Sequence, residues 1–162
     1  MSPTAHRPRR FPAVVGALAL VAGLVGCSEP DPARELSAPS PTGQVAADCQ
    51  AVMAALPESV VGLGTERSEP MLRTWGSPGI SLRCGVERPA TMSQTSRCDE
   101  LGGVGWFAED PNKAVDKAWR FTTIGRSGYV EVIVPEQYRP AGDALMDLAA
   151  AVTKMPVVRP CH

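Results

Sequence analysis

The side chains whose type and spacing speak most directly of chemistry are cysteines. Leu24-Val25-Gly26-Cys27 sets small residues before a thiol, at the end of an apolar run from Phe11 to Val25 that is led by Arg7, Arg9 and Arg10. A positive n-region, an uncharged h-region and small residues at the cut are the pattern of a bacterial lipoprotein signal, removed in the mature chain. The expected chemistry is transfer of a diacylglyceryl group to the Cys27 sulfur, which becomes the first residue after cleavage. Phe11 to Val25 is shorter than the roughly 20 apolar residues of a spanning helix. Arg9-Arg10-Phe11 faintly resembles a twin-arginine signal, but its neighbours depart from that motif and favour general secretion.

Four cysteines remain: Cys49, Cys84, Cys98 and Cys161. An even number outside the cytoplasm argues for two disulfides, and four cysteines allow three connectivities. Of these, Cys84–Cys98, closing a short loop, and Cys49–Cys161, tying the ends of the domain, are the favoured pair. A metal centre is not expected. There is no C-x-x-C, and the only histidines are His6, within the signal, and His162, whereas zinc takes closely spaced Cys and His ligands. No cofactor is expected either.

Catalytic constellations are equally sparse. Without a histidine inside the domain, Ser-His-Asp and Cys-His arrangements need His162 to fold back. Gly102-Gly103-Val104-Gly105 precedes a strand instead of opening a helix, so it reads as a turn and not a phosphate cradle. Asp99-Glu100 and Glu109-Asp110 are paired acids whose default is a solvated loop, and their spacing is not that of an EF-hand. Two residues stand out as a candidate binding surface: Trp75, beside Gly76-Ser77-Pro78, and Arg126, in a turn after Thr122 and Thr123. Against this, an aromatic usually serves burial first, and Arg126 has an acid such as Glu131 to pair with.

The elements that must position these residues follow from periodicity. Of 162 residues, the 136 from Cys27 onward suit one domain with a tail. Residues 1–26 are the signal, 27–48 a lipidated cysteine and proline-rich disordered tether, and 49–162 a single globular domain. Pro30, Pro32, Pro39 and Pro41 keep the tether semi-extended, and its composition buries too little to offset ordering. Asp48 is placed to cap a helix from Cys49 to Leu56, with Cys49, Val52, Met53 and Leu56 on one stripe. Ile80 to Val86, Val104 to Ala108, Trp119 to Ile124 and Tyr129 to Val134 read as strands, the last two joined as a hairpin through Gly125-Arg126-Ser127-Gly128. A second amphipathic helix follows Pro140, with Leu145, Leu148, Ala149, Val152 and Met155 apolar. The fold class is therefore α+β: an antiparallel sheet of three to four strands flanked by an N-terminal and a C-terminal helix, tied by disulfides.

Charge narrows the partners. Sixteen Lys and Arg stand against 17 Asp and Glu, and loss of Arg7, Arg9 and Arg10 leaves the mature chain mildly acidic. Nucleic acid wants a clustered basic face, and anionic lipid wants a polybasic patch. Attachment to a membrane then rests on the lipid at Cys27.

Trp75-Gly76-Ser77-Pro78, Leu82-Arg83-Cys84-Gly85-Val86, Val104-Gly105-Trp106, Phe121-Thr122-Thr123-Ile124-Gly125-Arg126 and Val130-Glu131-Val132, in that order, resemble an actinobacterial family of secreted lipoproteins known as domain of unknown function 3515. Cys49 with Leu56-Pro57 at the start and Cys161 at the end match the same pattern. The resemblance spans about Asp48 to His162 and implies an extracytoplasmic lipoprotein, with no catalytic residues to carry over. The expectation is a non-enzymatic module, lipid-anchored on the outer face of the cell membrane, binding an envelope protein or wall ligand. The alternative is a wall-modifying or hydrolytic enzyme using carboxylates such as Glu109, Asp110 or Glu131.

Overall fold

A computed structural model describes Met1 and residues 36–161. The expected signal segment, Cys27 and the first part of the expected tether lie outside the described residues. Helix α1 (Gly43–Ala54) leads into strands β1 (Ser59–Val60), β2 (Leu63–Glu69), β3 (Leu72–Trp75), β4 (Ile80–Val86), β5 (Asp99–Leu101), β6 (Val104–Glu109), β7 (Trp119–Thr123) and β8 (Tyr129–Val134). Helix α2 (Ala141–Val152) follows. The strands form one antiparallel sheet in the order β1-β2-β3-β4-β8-β7-β6-β5.

The α+β class and the flanking helices agree with the sequence reading, but the sheet has eight strands and not three or four. The additional strands are β1, β2, β3 and β5. Strand β2 reads Leu-Gly-Thr-Glu-Arg-Ser-Glu and shows no apolar alternation, because it lies near the sheet edge and is largely exposed. Strands β1 and β5 have only two and three residues, too few to display a period. Strand β3 ends on Trp75, and its turn into β4 runs through Gly76, at φ +73°. The β7–β8 hairpin pairs Trp119 with Val134 and Thr122 with Glu131, as its turn residues foretold.

Helix α1 begins at Gly43, six residues before Cys49, so residues 43–48, expected as the end of a disordered tether, are helical. Val45 packs on the core, and Gln44 donates to Asp48 within the helix at 2.8 Å. Asp48 is consequently not a cap. It is buried inside the helix, where its other carboxylate oxygen accepts from the Ser127 hydroxyl at 2.6 Å.

The main core lies between the helices and one sheet face. Cys49, Val52 and Met53 of α1 and Leu145, Leu148 and Val152 of α2 meet Trp75, Ile80, Leu82, Val104, Trp106, Val130, Val132 and Val134. Fully burying one such side chain contributes about 1.5–3 kcal/mol. Strand alternation puts Leu72, Ser81, Thr122, Glu131 and Ile133 on the opposite face. Leu72, Met92 and Ile133 are buried but stand outside the main cluster. Two irregular segments border this second face, the strap 36–42 and the β4–β5 connection 87–98.

The disulfides join Cys49 to Cys84 and Cys98 to Cys161, with Cα separations of 5.6 and 5.8 Å. The expected Cys84–Cys98 and Cys49–Cys161 pairs are corrected. Cys49 faces inward from α1 and Cys84 faces the same core from β4, so those two sulfurs meet in the interior. Cys98 stands just before β5 at the far edge, where the C-terminal segment returns after bonding Gly125 through the amides of Val158 and Arg159. Loop length favoured the wrong partners because it says nothing of which sheet face a cysteine occupies.

Candidate functional site

The two residues singled out as a binding surface are both buried. Trp75 has no exposed area, and its indole N–H donates to the carbonyl of Pro57 at 3.1 Å. Turn residues beside it mark a hairpin whose last strand residue points into the core. Arg126 is 8% exposed and donates to the carbonyls of Met155 at 2.5 Å and Gly103 at 2.7 Å. Burial pushes its guanidinium pKa below the usual arginine value. Arg126 therefore locks the C-terminal segment to the β5–β6 turn and does not pair with Glu131.

The paired acids have different surroundings. Asp99 pairs with Arg97 at 2.6 Å. Asp110 caps the 3-10 turn Pro111–Lys113 by accepting from the Asn112 amide at 3.0 Å, which holds its carboxyl below the ordinary range. Glu109 and Glu131 are the two that the fold brings to one place. Both line a cleft of about 710 Å³, bounded by Ser37–Thr42 of the strap, the end of β4 and the connection through Pro89 and Thr91. That volume falls within the range of small-molecule sites.

The sheet register explains how they converge. Glu109 opposes Arg120, Arg120 opposes Ile133, and Glu131 opposes Thr122 on one side and Arg83 on the other. The Cα atoms of Glu109 and Glu131 are thus two strands and two residues apart, about 12 Å by standard spacing. Glu131 Oε1 accepts both Nε and Nη2 of Arg83, at 2.8 and 2.7 Å. Glu109 Oε1 accepts the Thr91 hydroxyl at 2.7 Å. Arg120 is held by Asp116 through two contacts at 3.0 and 2.5 Å, and this pairing raises its pKa while lowering that of Asp116.

Arg83, Thr91 and the strap escaped sequence reading. Arg83 showed only as the polar position of an alternating strand, and its pairing with Glu131 depends on the β4–β8 register. The strap reads as linker by composition. Gly85 was a signal for it: at φ +83°, in a register shift of β4, it gives Pro41 a place to pack. Among the described residues no group of three His, Cys, Asp or Glu is arranged to hold a metal ion. No described helix is long and apolar enough to cross a membrane.

No curated protein and no solved structure matches this chain. Residues 11–160 match a family described as protein of unknown function (DUF3515), and the chain, with its α+β domain and two disulfides, belongs to that family.

Proposed function

We propose that this protein is a cell-envelope lipoprotein, anchored through Cys27 on the extracytoplasmic face of the membrane, whose domain is a non-enzymatic module that binds an envelope protein or wall ligand. The observation that carries the binding role is the cleft between strap and sheet. It has ligand-site volume, a charged floor, and one wall formed by the segment that leads toward the proposed anchor. Trp75 and Arg126 have no part in this surface.

The hydrolytic reading draws on the presence of two carboxylates at one cleft. Against it, Glu131 gives one oxygen to Arg83 and Glu109 gives one to Thr91, so neither of the two carboxylates is free of a partner. Asp110 is spent on a turn cap.

Two experiments test the proposal. Cys27→Ser should abolish acylation and release the exported protein from membranes, since the lipid is the one strong apolar attachment; a variant still wholly membrane-bound overturns the anchor. Affinity purification from the native membrane should recover a partner with the unaltered chain and lose it with Thr91→Trp, which fills the cleft. Undiminished capture by a folded Thr91→Trp variant overturns the cleft as binding site.

A further inference from the structure

Resting on the cleft as binding site, we infer that its ligand presents a primary ammonium group, seated between Glu109 and Glu131. The lining holds one cation, Arg83, and three carboxylates, Glu87, Glu109 and Glu131. Arg83 is committed to Glu131, and both of its contacts fall on Oε1, leaving Oε2 as an acceptor. Glu109 receives only a neutral hydroxyl, and Arg120, its register partner, is matched by Asp116. One cation against three carboxylates leaves the lining with surplus negative charge, which Arg120, bonded directly to Asp116, offsets only through space.

Its uncharged lining adds further acceptors, from proline carbonyls and from the hydroxyls of Ser37, Ser40 and Thr42, which can also donate. Pro39, Pro41 and Pro89 form parts of both walls, and proline supplies a carbonyl acceptor but no N–H. An acceptor-rich, anionic cleft complements a group that only donates. An ammonium offers three donors and no acceptor. A divalent ion wants several carboxylates converging on one point, which the described residues do not provide. The amine has two natural sources, a lysine-like side chain in a peptide or an amino sugar.

The test uses the isotopically labelled full-length chain carrying Cys27→Ser, exported and disulfide-bonded, followed by NMR during titration. The probes are Nα-acetyl-lysine methylamide and glucosamine, with Nε-acetylated lysine, N-acetylglucosamine and calcium chloride as controls. Amide shifts confined to residues such as Val86, Thr91 and Glu131 are expected with at least one amine, and none with its acetylated form. Which amine binds identifies the source. Glu109→Gln should weaken that binding about tenfold, the value of one charge-assisted hydrogen bond. Equal shifts from acetylated probes, no shifts through the millimolar range, a response to calcium alone, or full affinity in Glu109→Gln overturns the inference. If amine binding fails while Thr91→Trp still abolishes partner capture, only the ligand class is wrong. If Thr91→Trp leaves capture intact, the binding site itself is wrong.

Discussion

The ring of Pro41 fills the space that the missing side chain of Gly85 leaves on β4. A Cβ added at Gly85 would meet three carbons of that ring, and the backbone there has φ +83°. The strap is therefore keyed to the sheet one residue beyond the Cys49–Cys84 disulfide, and Arg67 secures its far end by donating to the Leu36 carbonyl at 2.9 Å.

Gly85→Ala should cost about 1–3 kcal/mol from the left-handed conformation alone. Displacement of Pro41 should also open the strap to protease. Urea denaturation and limited proteolysis between residues 36 and 42 measure both. A variant as stable and as resistant as the parent contradicts the packing.

Non-reducing peptide mapping should recover Cys49 linked to Cys84 and Cys98 linked to Cys161. Sequence separations of 35 and 63 correspond to about 4 kcal/mol each on the chain-entropy model. Removing either pair by double alanine substitution should lower stability by up to that amount. A peptide joining Cys84 to Cys98 would refute the connectivity.

Trp75→Ala should destabilise by about 3–5 kcal/mol, the range for large-to-small core changes. Arg126→Ala leaves two carbonyls without their donor and should cost about 2 kcal/mol or more. Neither substitution should alter partner capture in the fraction that remains folded. Thermal melts beside pull-downs decide; lost capture with an unchanged melt would restore these residues to the binding surface.

Acid should weaken the fold through Asp48. Hydrogen bonds from Ser127 and then Gln44 lower its folded-state pKa from 3.8. A carboxyl with a depressed pKa contributes its full stability above the unfolded value and loses it as pH falls through the folded one. Asp116, lowered by Arg120, acts in the same sense. Melting temperature should vary little with these groups near neutrality and drop below about pH 4. Ser127→Ala should flatten the Asp48 contribution, and an unaltered acid limb in that variant would remove Asp48 from the account.

Periodicity and composition, local properties of the chain, determined much of this protein. Strands β4, β6, β7 and β8 were legible because each shows alternation or β-branched and aromatic enrichment over five or more residues. Helix α2 was legible because Leu145, Leu148 and Val152 repeat at helical spacing. The cysteine count gave two bridges, and the sparse histidines argued against the common triads. Tertiary structure alone decided which cysteines meet, since that depends on Cys49 and Cys84 facing one core while Cys98 and Cys161 share a distant edge. It also decided that Trp75 and Arg126 are interior: a turn signal locates a bend and does not say which face of the sheet the adjoining side chain takes. The cleft was illegible for the same reason. Glu109, Glu131, Arg83 and Pro41 come from four separated segments, and only the register of β4, β8, β7 and β6, with a glycine that admits a proline ring, brings them together.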